Sequence, residues 1–357
     1  MKIIELPQPK KPLPSHKRSA VVQSAENLVR VRQLLPEQTL PLMLEPNAEG
    51  LDLAGWLRSN YDLIALYLQR HGALLFRGFP VATQADFERC ISALRLNTMR
   101  YTEGATPRTE IGDKLYTSTE YPADQTIAPH NELTYVTTWP RRILFFCVTP
   151  SVTRGQTPIV NVNSVYNRLS REVREPFEKR GWMLVRNFGT GLSLPWQQTF
   201  HTQDRAEVEA YCRQARVEFE WRGNDVLRTR QVRHAVVSHP QTGQPLWFNH
   251  VAFWHISSLD TKVRTSLAAM FHEEELPYNT FYGDGGRIDD DDVAEIRAAY
   301  AAEQVEFDWQ RGDLLVLDNM LVAHGRNTYE GERRILVAMG DPFSSDTDEI
   351  QYQSTSL

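Results

Sequence analysis

The stretch TIAPHNELTYV, residues 126–136, places an imidazole and a carboxylate two residues apart, at His130 and Glu132. The residues around this pair, among them Ile127, Tyr135 and Val136, favour an extended strand over a helix. In an extended chain, the side chains at positions i and i+2 point to the same side. We therefore expect the two ligating groups to converge on one point.

A third ligand must come from elsewhere in the chain, and His324 is the best candidate among the ten histidines. It follows the apolar run LLVLDNMLVA, and Gly325 and a further strand come after it. Two histidines and one carboxylate make the facial triad of non-haem Fe(II) oxygenases. The long separation between Glu132 and His324 excludes a local zinc finger, whereas a β-roll makes neighbours of strands that are remote in sequence.

Two further residues fit the same site. Thr157 follows a glycine turn, and Arg334 lies on the strand after His324. A guanidinium binds a carboxylate through two hydrogen bonds, and a hydroxyl adds a third contact. This combination suits a 2-oxo dicarboxylic acid, whose 2-oxo acid end binds iron and whose distal carboxylate needs a fixed cation. We expect Arg333 to face the opposite, solvated side.

Composition and charge exclude several other classes of protein. The chain has 357 residues, of which 41% are hydrophobic and 24% charged, and its net charge of −6 gives no basic field for nucleic acid or an anionic membrane. No apolar run approaches the length of a membrane helix. The three cysteines lack a CxxC spacing and are expected to be reduced thiols in a cytoplasmic protein. No GxGxxG or P-loop motif is present.

The chain is expected to comprise an extended N-terminal segment, residues 1–20, and a single domain over residues 21–357. Many short strands with interspersed helices predict a mainly β fold with flanking helices. The acidic run Asp289–Asp292 is interpreted as a helix N-terminus and not as a metal site. Helices are predicted over residues 51–72, 83–94, 164–180, 204–217, 260–273 and 289–304.

Together these motifs resemble the TauD/TfdA family of Fe(II)/2-oxoglutarate-dependent dioxygenases, and within it the SyrP-like branch. The resemblance implies a double-stranded β-helix (jelly-roll) core of the clavaminate-synthase-like type. It also implies iron ligation by His130, Glu132 and His324, and binding of 2-oxoglutarate by Thr157 and Arg334, with O2 as the oxidant. It is carried by YTSTEYPADQTIAPHNELTYVTTWPRRILFFC (116–147), RGQTPIV (154–160), PLWFNH (245–250), YGDG (282–285) and WQRGDLLVLDNMLVAHGR (309–326).

The resemblance implies hydroxylation of an unactivated C–H bond in an amino acid, free or tethered to a carrier protein, in natural-product biosynthesis. Desaturation and cyclisation stay open as alternatives. Arg326 is expected either to hold a substrate carboxylate or to be a structural ion-pair partner, and Asn131 is expected to face away from the metal. The candidate substrate residues are Ser118, Thr119, Asn131, Asn249 and Arg326.

Two readings from other classes also remain open. The same three ligands could form a hydrolytic zinc site, although zinc has no use for Thr157 and Arg334. The chain could instead be a non-catalytic binding protein on a β-roll, although the complete ligand set argues against this. The expected partner is a small molecule or a carrier-tethered amino acid, without nucleic acid or membrane, and a homo-oligomer is left open.

Overall fold

The computed structural model describes residues 28–35, 38–99, 103, 110–112, 115–117, 121–223 and 225–344. The expected N-terminal segment, residues 1–20, lies outside this part of the chain. A single domain over residues 21–357 therefore stays a prediction.

Side chains that cap helix ends decide where the helices begin. Thr83 accepts a hydrogen bond from the Asp86 N–H and forms a capping box with it. The predicted helix 51–72 is two helices that meet at Asn60, and the predicted helix 164–180 is two helices because Ser170 caps the second. The helices are α1 (Leu53–Ser59), α2 (Tyr61–His71), α3 (Gln84–Ala93), α4 (Val162–Arg168), α5 (Arg171–Arg180), α6 (Trp196–Phe200), α7 (Arg205–Gln214), α8 (Val251–Trp254), α9 (Thr261–Met270) and α10 (Asp290–Glu303), with 3₁₀ turns at Ile256–Ser258 and Glu273–Glu275.

Two sheets form the β core. The larger sheet has eight strands, in the order β1 (Val29–Leu35), β2 (Gln38–Pro46), β3 (Ala73–Phe76), β17 (Leu314–Asp318), β7 (Thr138–Thr149), β20 (Arg334–Ser344), β5 (Leu115–Thr117) and β4 (Glu110–Gly112). The smaller sheet has four strands, in the order β16 (Gln304–Val305), β9 (Ile159–Asn161), β18 (Val322–Arg326) and β6 (Ile127–His130).

The remaining strands lie outside these two sheets. A third sheet has the order β11 (Val217–Arg222), β12 (Val226–Arg233), β10 (Trp182–Phe188) and β15 (Tyr278–Tyr282). Two strand pairs complete the set: β13 (Val236–Ser238) with β14 (Pro245–Trp247), and β8 (Thr153–Arg154) with β19 (Tyr329–Glu330).

Strand β7 shows how the larger sheet separates two layers of core. Ile143 and Phe145 face the layer shared with the smaller sheet, whereas Leu144 and Phe146 face the helices α1 to α3. Both faces are buried, which explains why the run RRILFFCV carries no polar alternation. Each fully buried aromatic or aliphatic side chain of this kind stabilises the fold by roughly 1.5–3 kcal/mol.

The predicted mainly β class with flanking helices is confirmed, as is the jelly-roll core. Strands remote in sequence are neighbours, since β17 lies between β3 and β7, and β18 lies between β9 and β6. Gly72 ends α2 as predicted, in a left-handed conformation with φ 72° that favours glycine. Within the described ranges, none of the helices combines the length and apolar character that crossing a bilayer requires.

Candidate metal centre and co-substrate site

The smaller sheet brings His130, Glu132 and His324 together. His324 on β18 pairs directly with His130 on β6 in the antiparallel register, and their ring centroids are 4.8 Å apart. His324 Nε2 lies 3.8 Å from Glu132 Oε2. One ligand atom from each residue lies within 4.8 Å of the others. The three side chains that the sequence singled out therefore meet at one point.

Local contacts orient the imidazole ring of His130. His130 Nδ1 lies 2.9 Å from the Ala128 carbonyl oxygen, which can only accept a hydrogen bond. Nδ1 therefore carries the proton, and the Nε2 lone pair is left for a metal. Gly325 allows β18 to approach β6 this closely, because a Cβ at this position would lie 2.5 Å from the Ile127 carbonyl oxygen.

Asn319 braces the loop that carries Glu132. Its Oδ1 accepts from the Glu132 N–H at 2.7 Å, and its Nδ2 donates to the carbonyl oxygens of Glu132 at 3.0 Å and Pro140 at 2.9 Å. Asn131 Nδ2 donates to the Asn319 carbonyl oxygen at 2.6 Å. This role of Asn319 is not predicted by the motifs of the sequence. The available signal was the polar pair Asp318-Asn319 at the end of an apolar strand.

Thr157 lies on the other side of β18 from His130. The Gly325 N–H donates to the Pro158 carbonyl oxygen at 2.9 Å, which places the Thr157 segment beside His324. Thr157 Oγ1 is buried and accepts from Trp309 Nε1 at 3.0 Å and from Arg333 Nη2 at 3.4 Å. Since Oγ1 already accepts twice, its own proton is available for an acceptor such as a carboxylate.

The arginine beside Thr157 is Arg333, so the expectation for Arg334 was wrong. Arg333 is largely buried and its Nε donates to the Gly155 carbonyl oxygen at 3.0 Å, whereas Arg334 is exposed. The contacts with Gly155 and Thr157 place the Arg333 guanidinium against the Thr157 segment. Burial, and then the charge of Arg326, lower the pKa of Arg333 to about 10.

Three of the candidate substrate residues have structural roles instead. Both polar side-chain atoms of Asn249 bond the backbone: Nδ2 donates to the Ala235 carbonyl oxygen, and Oδ1 accepts from the Val251 N–H. Asn131 faces Asn319 and not the metal ligands.

Both Nη atoms of Arg326 donate to backbone carbonyl oxygens, a structural role without the ion-pair partner that the sequence suggested. Nη1 donates to Tyr121 at 2.8 Å, and Nη2 donates to Pro122 at 2.6 Å and Gln125 at 2.7 Å. Arg326 therefore holds the loop that leads into β6. Ser118 and Thr119 lie outside the described residues.

An aromatic wall stands beside His130. Phe253 and His250 pack against it, with ring centroids 4.9 Å and 5.5 Å away, and Phe145 lies 5.0 Å from the ring of His324. The run FNHVAFWH (248–255) supplies the rings of Phe253 and His250, and its Phe248 and Val251 lie in the hydrophobic core. Burial and the neighbouring His130 hold the pKa of His250 well below its usual value, so His250 is neutral at neutral pH.

The donor set fits a divalent transition metal. It offers two imidazole nitrogens and one carboxylate, and both Glu132 and His324 are almost fully buried, at 4% and 5% exposure. A carboxylate held away from water is costly unless a cation compensates it. His130 and His324 come from paired strands and Glu132 from the turn that follows β6, and a triad of this kind leaves positions open to exogenous ligands.

Comparison with known families decides the class. A sequence model of the family described as "Taurine catabolism dioxygenase TauD, TfdA family" matches residues 37–339. The chain belongs to the TauD/TfdA family. As a TauD/TfdA protein it is a 2-oxoglutarate-dependent non-haem iron oxygenase that uses Fe(II), 2-oxoglutarate and O2. The hydrolytic zinc and non-catalytic readings are thereby set aside.

Two curated TauD/TfdA relatives match most of the chain. The chain is 39% identical over 282 residues to the dapdiamide synthesis protein DdaC of Enterobacter agglomerans. The aligned region covers 79% of this chain and 86% of DdaC. The chain is 29% identical over 282 residues to a clavaminate synthase-like protein of Arabidopsis thaliana, covering 76% of this chain and 82% of that protein.

A solved structure supports the fold. PvcB from Pseudomonas aeruginosa aligns over 89% of this chain and 93% of its own, with a TM-score of 0.51 and 15% sequence identity. PvcB is described as an Fe, alpha-ketoglutarate dependent oxygenase from an isonitrile synthetic pathway. At this identity the likeness concerns the fold alone.

Proposed function

We propose that this TauD/TfdA oxygenase binds Fe(II) through His130, Glu132 and His324 and hydroxylates an unactivated C–H bond of an amino-acid-derived small molecule. The observation that carries the proposal is the convergence of the three ligand atoms within 4.8 Å. The Thr157–Arg333 pair beside β18 supports it, because it supplies a hydroxyl and a buried guanidinium for the distal carboxylate of 2-oxoglutarate.

The residues of the chain have separate tasks in this reaction. Held by His130, Glu132 and His324, Fe(II) would supply the oxidising chemistry that couples O2 and 2-oxoglutarate to oxidation of a C–H bond. Arg333 neutralises and orients the distal carboxylate, and Thr157 donates its hydroxyl proton to it. Asn319 fixes the loop of Glu132 and so holds the carboxylate ligand in position. The rings of Phe145 and Phe253 exclude water from the metal ligands.

The substrate class rests on the relatives. DdaC is named as a dapdiamide synthesis protein, which supports an amino-acid-derived substrate in natural-product biosynthesis. Whether the substrate is free or tethered to a carrier protein is decided by assay, as is the oligomeric state. A cytoplasmic location is part of the proposal, and the three cysteines, which are free and buried, are consistent with it.

The proposal is tested by following decarboxylation of 2-oxoglutarate by the purified protein with Fe(II) and ascorbate. We expect turnover that requires both, and loss of turnover and of metal binding in His324→Ala and Glu132→Ala. The exposed Arg334→Ala is the matched control. Absence of decarboxylation, or decarboxylation that does not depend on Fe(II), would contradict the proposed function.

The outcome of the reaction is read by mass spectrometry over free and carrier-bound amino acids. Gain of one oxygen atom is the expected result for hydroxylation. Loss of two hydrogen atoms would instead assign desaturation or cyclisation to the same site.

A further inference from the structure

His250 is a buried histidine that the proposed reaction does not yet use. Its imidazole stands between two indoles, with centroids 4.5 Å from Trp254 and 6.5 Å from Trp182 and interplanar angles of 20° and 18°. The ring of His130 lies 5.5 Å away, and His250 is only 4% exposed. The two stacked rings hold the imidazole plane in one orientation next to a metal ligand.

One hydrogen bond determines where the proton of His250 lies. Thr134 Oγ1 lies 2.6 Å from His250 Nδ1, and Thr134 is itself buried at 3% exposure. The structure gives this hydroxyl no other partner among the described residues. If Nδ1 donated to Oγ1, the hydroxyl proton would be buried without an acceptor, which is unfavourable. Thr134 therefore donates to Nδ1, and the neutral imidazole carries its proton on Nε2.

The other ring nitrogen, Nε2, has a different environment from Nδ1. No hydrogen bond to Nε2 is formed by the part of the chain that the structure describes, and Nε2 is not among the side-chain nitrogens closed off from solvent without a partner. Nε2 therefore keeps some exposure, on a ring whose centroid lies 5.5 Å from that of His130 and 5.4 Å from those of Tyr135 and Phe253. A fixed neutral donor at this place, next to the metal ligands, is suited to an acceptor oxygen on a bound molecule.

We propose that His250 is a substrate-binding residue whose Nε2–H donates a hydrogen bond to a carbonyl, carboxylate or amide oxygen of the substrate. The bond holds the neighbouring carbon beside the metal centre and selects compounds that carry such an oxygen. This inference rests on the proposed function. A site built to bond a polar group rejects an analogue that lacks it, because the buried donor is then left unpaired.

Two variants distinguish the roles of Nδ1 and Nε2 of His250. His250→Asn places a polar group where Nδ1 lies, so it can still accept from Thr134, but it has nothing at the position of Nε2. His250→Gln places its amide where Nε2 lies. The probes are the proteinogenic amino acids and their N-acetyl derivatives, and the readout is stimulation of 2-oxoglutarate decarboxylation, relative to the uncoupled rate of the same variant.

We expect the compounds that stimulate the wild type to show a kcat/KM lower by roughly ten- to a hundredfold in His250→Asn, with substantial recovery in His250→Gln. The proposal is overturned if every compound stimulates 2-oxoglutarate decarboxylation equally in the wild type and in His250→Asn. It is likewise overturned if no compound stimulates either protein. It is also overturned if His250→Asn raises the KM for 2-oxoglutarate as much as that for the stimulating compound.

A second measurement does not depend on turnover. The imidazole ¹⁵N spectrum of the zinc-substituted protein is expected to show His250 as the Nε2–H tautomer, and an Nδ1–H tautomer would overturn the inference. Failure of the proposed function looks different, since the wild type would then show no uncoupled decarboxylation of 2-oxoglutarate at all.

Discussion

Asn319 and Glu132 exchange two hydrogen bonds across a gap of nearly two hundred residues in the chain. The Glu132 N–H donates to Asn319 Oδ1 at 2.7 Å, and Asn319 Nδ2 donates to the Glu132 carbonyl oxygen at 3.0 Å. Both residues are buried, with Asn319 fully so. The end of β17 thereby sets the position of the carboxylate ligand, although Asn319 itself offers no ligand atom to the metal centre.

Asn319→Ala is expected to weaken Fe(II) binding about 10- to 100-fold, a loss typical of removing the partner that orients a metal ligand. The backbone N–H and carbonyl group of Glu132 would lose their partner in a buried site, and the loop would relax. Calorimetric titration with Fe(II) under anaerobic conditions measures the change. The exposed Asn167→Ala is the matched control. Unaltered affinity in Asn319→Ala would show that the loop holds its geometry without this side chain.

Arg333→Ala is expected to raise the KM for 2-oxoglutarate by roughly 10- to 100-fold, since hydrogen bonds to a charged group contribute about 1.5–3 kcal/mol. Arg333→Lys should recover only part of this loss, because an ammonium lacks the planar fork. Arg334→Ala, its exposed neighbour, should change the KM less than twofold. Titration of 2-oxoglutarate in the decarboxylation assay decides between the two arginines. A larger rise in KM for Arg334→Ala than for Arg333→Ala would instead make Arg334 the residue that binds 2-oxoglutarate.

Arg326→Ala is expected to destabilise the protein by about 2–4 kcal/mol, because one buried guanidinium serves three carbonyl oxygens of the segment from Tyr121 to Gln125. Arg326→Lys should not restore stability, since one ammonium cannot match this geometry. Denaturant unfolding measures the change. Normal stability combined with a raised KM confined to carboxylate-bearing substrates would instead make Arg326 a substrate residue.

His255 should make the protein less stable in mild acid. Burial lowers its pKa to about 4, from about 6.5 in an unfolded chain. Between these values the unfolded state binds a proton that the folded state does not, so stability falls as pH decreases from about 6.5 to about 4. The full loss is up to about 3 kcal/mol.

His255→Asn is the variant that isolates this effect. His255 Nδ1 accepts from the Ser257 N–H at 3.2 Å, and an asparagine oxygen can replace that acceptor. The difference in unfolding free energy between the wild type and the variant is expected to be constant above about pH 7 and to shift in favour of the variant as the pH falls. Parallel stability curves from pH 7 to pH 4 would contradict the prediction.

Much of the metal centre could be predicted because short-range geometry governs it. The His-x-Glu spacing keeps the two ligands together, although Glu132 lies in a turn after β6 and not on the extended strand that the sequence predicted. The apolar run before His324 is a buried strand as expected. The sequence motifs also indicated Thr157 and the family. The helix caps at Thr83, Asp204 and Asp260 follow from side-chain chemistry within a few residues, and the structure has helices beginning directly after all three.

The sequence alone determined which chemical groups the protein brings to the site, whereas tertiary structure decided which side chains face it. The pairing of β20 with β7 shifts register between Arg334 and Ile335. Counting residues along the chain therefore does not predict which of the two arginines, Arg333 or Arg334, faces the site. Asn319 contacts Glu132, and His250 contacts Thr134, across more than a hundred residues of the chain. Local spacing fixes directions along one strand, but contacts between strands depend on how the whole chain packs.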